Sequence, residues 1–122
     1  MEVFGYRKLI AYQKAKEVIK KTYKLLKKFP PEERYAMCDQ LRRASISVTS
    51  NIAEGVNRFS VKDKARFIEI AYGSLMEVFC ELQTATDLQY ITESKLEEMR
   101  QQITDIAKML SGLRTSFINR IQ

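Results

Sequence analysis

Four rows of apolar residues, spaced alternately three and four positions apart, constrain this chain more than any other feature of its sequence. Such spacing places the members of a row on one face of an α-helix. No segment shows sustained two-residue alternation, so the sequence predicts helices and no strands. The rows are Tyr12, Ala15, Ile19, Thr22, Leu26 and Phe29; Cys38, Leu41, Ser45, Val48 and Ile52; Ile68, Ala71, Leu75, Val78, Leu82 and Ala85; and Leu96, Met99, Ile103, Ile106, Leu110, Leu113 and Phe117.

Prolines and capping residues divide the rows into four helices. Pro30 and Pro31 end the first helix, because proline lacks an N–H and disfavours α geometry in the residue before it, and Pro31 can open the second. Ser60 and Thr92 are suitable N-caps for the third and fourth. The predicted helices span residues 7–28, 31–54, 61–89 and 93–119 of a single domain of residues 1–122. Because long helices joined by short connections pack as antiparallel neighbours, we expect an all-α, up-down-up-down four-helix bundle.

The composition disfavours several classes of function. The 122 residues include no His, which removes the usual general base and the Glu-x-x-His motifs of di-iron bundles. Since no nucleophile–base pair is apparent, we predict no enzymatic activity, no catalytic residue, no metal and no cofactor. The longest uncharged stretch, residues 44–53, is too short and too polar to span a membrane. Cys38 and Cys80 form no close motif, and we expect free thiols in a reducing cytoplasm.

The positive charge is concentrated in the first predicted helix. Eight Lys and one Arg against two Glu give residues 1–28 a net charge of +7, whereas residues 29–122 carry −1. A concentrated positive field favours polyanions: nucleic acid, an acidic protein or a membrane surface. Lysine contacts to the phosphates of a nucleic acid would not distinguish RNA from DNA. The alternative is a solvated face that keeps the protein soluble. The candidate phosphate-binding residues are Lys16, Lys20, Lys24, Lys27 and Lys28, with Arg42 and Arg43 of the second helix.

The third predicted helix carries a second apolar row, formed by Tyr72, Met76 and Phe79. This row lies about 100° around the helix from the core row. Since a bundle helix of a monomer needs only one apolar stripe, the second row predicts self-association through the third helix. The alternative is that these side chains widen the core seam.

Asn51, Glu54 and Arg58 lie near the end of the second helix. An arginine at this position can clamp a phosphate, or it can pair with neighbouring polar side chains and hold the loop that follows. Because Asn51 and Glu54 are one helical turn apart, we favour a structural polar network that satisfies loop backbone groups.

Several motifs give the chain a family resemblance. They are Phe29-Pro30-Pro31-Glu32-Glu33-Arg34-Tyr35, Gln40-Leu41-Arg42-Arg43-Ala44-Ser45-Ile46-Ser47, Asn51-Ile52-Ala53-Glu54-Gly55, Arg58-Phe59-Ser60 and Ile70-Ala71-Tyr72-Gly73-Ser74-Leu75-Met76-Glu77. The sequence resembles the bacterial four-helix-bundle proteins encoded by intervening sequences of 23S ribosomal RNA genes. That family is similar in turn to the accessory variability-determinant protein of diversity-generating retroelements.

The resemblance implies a basic bundle that assembles into a closed ring, a homopentamer, and binds nucleic acid without catalytic activity. Two functions remain open at this point. The first is a non-enzymatic, oligomeric nucleic-acid-binding protein that uses the lysine face of the first helix. The second is a ring-shaped scaffold that docks a larger, nucleic-acid-processing protein partner.

Overall fold

The computed structural model describes residues 3–120, and these form four α-helices and no strand. The chain is all-α, as predicted, and its helices pack as in a four-helix bundle. Two short 3-10 turns, Gly5–Lys8 and Pro31–Glu33, precede the first and second helices. The helices are α1 (Ile10–Leu26), α2 (Met37–Val56), α3 (Val61–Asp87) and α4 (Glu93–Asn119).

The first two helices begin later than predicted, and they end at Leu26 and Val56 rather than at residues 28 and 54. Leu9 is extended (φ −67°, ψ 131°), so α1 starts at Ile10 and not at residue 7. The prediction that Pro31 opens the second helix is wrong, because Ala36 leaves helical geometry (φ −120°, ψ −99°) and α2 begins only at Met37. A long-range contact accompanies this irregular turn: the Tyr90 hydroxyl donates to Glu33 Oε2 at 2.9 Å.

The connection between α3 and α4 shortens the third helix by two residues. Gln89 adopts a positive φ of 66°, a conformation that ends an α-helix. The chain then returns through Tyr90, whose ring lies 5.2 Å from the ring of Phe29. This aromatic contact joins the α3–α4 connection to the segment between α1 and α2.

The predicted apolar rows of α2 and α3 are buried along their whole lengths. In α1 the buried face is rotated relative to the prediction, since Ala11 and Val18 are buried while Tyr12 and Ile19 are only half-buried. Tyr12 packs against the edge of the core, and its ring also contacts Tyr6 of the N-terminal turn, with 5.2 Å between centroids. The rotation of the buried face of α1 is thus accompanied by a contact with a residue outside the helix.

Each helix packs against two others: α1 against α2 and α4, and α3 against α2 and α4. Across the α2–α3 contact, the hydroxyls of Ser47 and Ser74 lie 2.8 Å apart. Across the α3–α4 contact, Arg114 Nε near the end of α4 donates to Glu69 Oε2 near the start of α3 at 3.1 Å. This pairing of one helix start with the next helix end is what antiparallel neighbours produce.

Gly55 marks a close approach of α2 and α3. A Cβ atom added at this position would lie 3.0 Å from Phe67 Cβ and 3.3 Å from the Lys64 carbonyl oxygen. We expect Gly55→Ala to lower the free energy of unfolding by about 1–3 kcal/mol, because the helices must separate to admit the methyl group. Urea denaturation followed by circular dichroism measures this change.

Gly73, in the middle of α3, provides the matched control. No atom lies within 4 Å of a Cβ added there, so the methyl group of an alanine meets no obstacle. Gly73→Ala should raise the free energy of unfolding by about 0.5–1 kcal/mol, because alanine favours the helix more than glycine does. A Gly55→Ala variant that is stabilised like Gly73→Ala would contradict the close approach.

Candidate nucleic-acid interface

The predicted lysine face occupies the exposed side of α1 and the turn that follows it. Lys16, Lys20 and Lys24 are exposed on the helix, and Lys27 and Lys28 are exposed just beyond its last residue. Positive charge at this end of the helix is favourable, since the C-terminal carbonyl groups carry partial negative charge. The side chains of Lys24, Lys27 and Lys28 have no hydrogen bond or ion pair within residues 3–120.

The other two lysines make only weak surface contacts. Lys16 Nζ lies 5.9 Å from the centroid of the Tyr12 ring. Lys20 Nζ lies 3.6 Å from Glu17 Oε1, one turn earlier. Exposed pairs of this kind contribute about 1 kcal/mol or less, so both ammonium groups remain available to an anion.

Lys21 has a different role from its neighbours. Its Nζ donates to Glu98 Oε1 of α4 at 3.2 Å, and Lys95 Nζ lies 2.9 Å from the other oxygen of that carboxylate. Hydrogen bonds from Lys95 and Lys21 lower the pKa of Glu98. Lys21 thus joins α1 to α4 and is not part of the free lysine face.

Arg42 and Arg43, predicted together, lie on different sides of α2. Arg42 is half-buried beside α1, and its Nη1 donates to Asp39 Oδ1 at 3.1 Å. Arg43 is exposed near Glu81 of α3: burial raises the pKa of Glu81, and the charge of Arg43 opposes that rise. Neighbouring residues of a helix point about 100° apart, so only Arg42 adjoins the lysine face.

A cleft of about 430 Å³ lies at the connection between α1 and α2. Lys27 and Arg42 line it together with Arg34, which was not among the residues predicted from the sequence. Its spacing of eight residues from Arg42, with Cys38 midway, is a helical spacing that could have drawn attention to it. The three cations come from three successive parts of the chain, so only their folded positions show that they converge.

The predicted polar network divides into two separate sets of contacts. Arg58 Nη2 donates to Glu54 Oε2 at 2.6 Å, and the guanidinium lies 4.2 Å from the centroid of the Phe67 ring. Asn51 does not join this pair: its Nδ2 donates to the Ser47 carbonyl at 2.8 Å. The Arg58 contacts link the end of α2 to Phe67 of α3, whereas the Asn51 hydrogen bond stays within α2.

The second apolar row of α3 lines a groove between α3 and α4. Tyr72 and Met76 are each 38% exposed, whereas Phe79 is half-buried against the core. Ile103 and Ala107 of α4 form the opposite wall of the groove, whose volume is about 490 Å³. The row therefore widens the core seam at Phe79 and leaves Tyr72 and Met76 open to a partner.

The family model of the 23S rRNA-intervening sequence proteins matches residues 7–112. The chain belongs to this family. The resemblance drawn from the sequence motifs is thereby confirmed, and it covers α1, α2, α3 and most of α4. No curated protein gave a significant match.

A solved structure shares the fold of this family member. It is the crystal structure at 1.70 Å resolution of a protein of unknown function from Bacteroides thetaiotaomicron, assigned to the S23 ribosomal protein family. The alignment has a TM-score of 0.78 and 24% sequence identity, and it covers 86% of this chain and 98% of the other. At this identity the likeness shows a common fold.

The described residues offer few other groups for metal binding or thiol chemistry. Within residues 3–120, no three His, Cys, Asp or Glu side chains are grouped so that they could hold a metal ion. Cys38 is buried and Cys80 is exposed, and both are free thiols. Among the described helices, none is both long and apolar enough to cross a membrane.

Proposed function

We propose that this member of the 23S rRNA-intervening sequence family is a non-enzymatic, oligomeric protein of the cytoplasm that binds nucleic acid. The lysine face contacts the phosphates through Lys16, Lys20, Lys24, Lys27 and Lys28, with Arg42 at its edge. The observation that carries the proposal is that the side chains of Lys24, Lys27 and Lys28 are exposed and have no partner within the described residues. A face that served only solubility would not require unpaired lysines, since lysines paired with nearby carboxylates would keep the protein equally soluble.

The charge distribution supports contacts to phosphates rather than to base edges. Residues 1–28 hold the whole excess of positive charge, and lysine neutralises phosphates as a point charge without reading the bases. Neutralisation releases counterions condensed on the nucleic acid, so affinity depends steeply on salt. RNA and DNA are both ligands by this chemistry.

Self-association would multiply the weak contacts of one lysine face. We infer a homo-oligomer through Tyr72, Met76 and Phe79, because two of these apolar side chains stay open in the α3–α4 groove. A closed ring of five subunits, as the family resemblance implies, repeats the lysine face five times. Linked sites bind a long polymer with avidity that exceeds the affinity of each site.

Light scattering of the purified protein, with and without RNA and DNA fragments of equal length, tests the assembly and the ligand together. We expect an oligomer that gains mass with either nucleic acid. A monomer would contradict the role of the second apolar row.

Salt dependence tests the phosphate contacts. If three to five lysines each neutralise one phosphate, the affinity should fall about 40-fold to 500-fold between roughly 50 and 200 mM salt. Mobility shifts at these two salt concentrations measure the change. An oligomer that binds neither nucleic acid at the lower salt would contradict the proposal.

That negative result would favour the second candidate, a ring-shaped scaffold for a larger nucleic-acid-processing protein. The observation in its favour is the groove that Tyr72 and Met76 line with Ile103 and Ala107, since an exposed apolar groove is typical of protein interfaces. The lysine face would then serve solubility or an acidic partner protein.

A further inference from the structure

The cleft between the end of α1 and the start of α2 combines charge with an aromatic wall. Its volume of about 430 Å³ lies within the range of small-ligand sites. Its apolar lining comes from Tyr23, Leu26, Phe29, Pro30 and Pro31. The two prolines restrict the backbone here, so the cleft is largely preformed.

Three positive side chains converge on this cleft. The side chains of Lys27 and Arg34 have no hydrogen bond or ion pair within residues 3–120, and the Arg42 side chain shares only one nitrogen with Asp39. The buried Cys38 also lines the cleft. Burial raises the pKa of Cys38; the charges of Arg42 and Arg34 oppose this rise, whereas those of Glu33 and Asp39 add to it.

The carboxylates near the cleft are already occupied. Asp39 accepts from Arg42, and Glu33 accepts from the Tyr90 hydroxyl at 2.9 Å and faces the Met37 amide at 3.5 Å. The start of α2 adds its own partial positive charge, since Cys38 is the second residue of that helix. An anion in the cleft would therefore meet more positive than negative charge.

Tyr23 adds an aromatic ring to the cleft, and a site for phosphate alone would not need one. Its ring is half-buried and lines the same cleft as the three cations. Aromatic rings bind bases by stacking, and this requires a base that is not already stacked within a duplex. A phosphate held by the cations would place the adjoining base within reach of this wall.

We propose that this cleft binds one nucleotide of single-stranded nucleic acid, with the phosphate held by Lys27, Arg34 and Arg42 and the base stacked on Tyr23. The inference rests on the proposed function and deepens it: the lysine face holds any phosphate backbone, whereas the cleft selects an unpaired strand. Sequence-independent stacking suits this role, since every base offers an aromatic face.

Fluorescence anisotropy with a labelled single strand, and with the duplex of the same sequence, tests the cleft. Arg34→Ala should weaken single-strand binding about tenfold, as expected for a charge-assisted contact to phosphate. Tyr23→Leu should weaken it about tenfold as well, while duplex binding stays unchanged. Tyr23→Phe keeps the ring and should bind like the wild type.

Lys24→Ala is the matched control, since Lys24 belongs to the lysine face and does not line the cleft. It should weaken single-strand and duplex binding by the same factor. Thermal unfolding of each variant, followed by circular dichroism, shows that binding changes do not reflect unfolding. If Tyr23→Leu leaves the ratio of single-strand to duplex affinity unchanged while both still bind, the cleft inference is wrong and the proposed function stands.

Two other outcomes would overturn the proposed function or the assignment of the ligand. A wild-type protein that binds neither form would overturn the proposed function itself. Adenosine monophosphate, added as a competitor, should displace the strand only at millimolar concentration, since one nucleotide makes few of the contacts. Displacement at micromolar concentration would identify a free nucleotide as the ligand and overturn the assignment to a strand.

Discussion

Reversing the charge of Lys20, Lys24 and Lys27 to glutamate should weaken nucleic-acid binding by about two to three orders of magnitude at 0.1 M salt. The three side chains are exposed on or just beyond α1. Each lost phosphate contact removes the release of about one counterion, and each new carboxylate repels the backbone. A mobility shift with RNA and with DNA should show the loss for both.

The control for this variant is a second triple reversal with the same change of net charge. Lys62 and Arg66 of α3 and Arg120 at the end of α4 are exposed and lie outside α1. Their reversal should weaken binding far less, because long-range effects of surface charge are screened by salt. Equal losses in the two variants would show that net charge, and not the lysine face, determines the affinity.

Both variants should retain their helices. The substituted side chains are exposed, and surface substitutions away from packed contacts usually change the free energy of unfolding by about 0.5 kcal/mol or less each. Far-ultraviolet circular dichroism and a thermal scan check this expectation.

Leu82→Ala should cause the largest loss of stability, about 3–4 kcal/mol in the free energy of unfolding. Leu82 is 0% exposed and lies in the core row of α3, which packs against both α2 and α4. Removing its branched end costs the transfer free energy of the lost methyl groups and leaves a cavity that helices on two sides must fill. Urea denaturation measures the change.

Leu88, six residues later, is the matched control for the same chemical change. It is the residue after α3 and is 48% exposed, so Leu88→Ala should cost about 1 kcal/mol or less. Unfolding should be measured at several protein concentrations, because an oligomer gains apparent stability by mass action. Equal losses at Leu82 and Leu88 would contradict the burial of the core row.

The helices that the sequence predicted best are those whose signals are local. α4 begins and ends at the predicted residues, and α3 begins at the predicted one. Their N-caps act within a single turn: the Ser60 hydroxyl accepts from the Asp63 amide at 3.0 Å, and the Thr92 hydroxyl accepts from the Lys95 amide at 3.1 Å. Such contacts can be read from residues three positions apart.

The predictions that failed involve contacts that helical periodicity does not encode. The late start of α2 accompanies the contact of Glu33 with Tyr90, 57 residues away, and the rotation of α1 accompanies the contact of Tyr12 with Tyr6 in the turn before the helix. For the same reason the sequence grouped Arg42 with Arg43, whereas the folded chain places Arg42 beside Lys27 and Arg34.

The amino-acid sequence alone determined the helical class, the buried rows of α2 and α3, the family and the concentration of positive charge in the first helix. Periodicity and capping act within a few residues, so they can be recognised from the sequence without a structure. Only the tertiary structure decided which lysines are paired, which face of α1 is buried and which cations meet in the cleft. These features depend on how separate helices pack, and helix packing is settled by side-chain contacts between residues far apart in the chain.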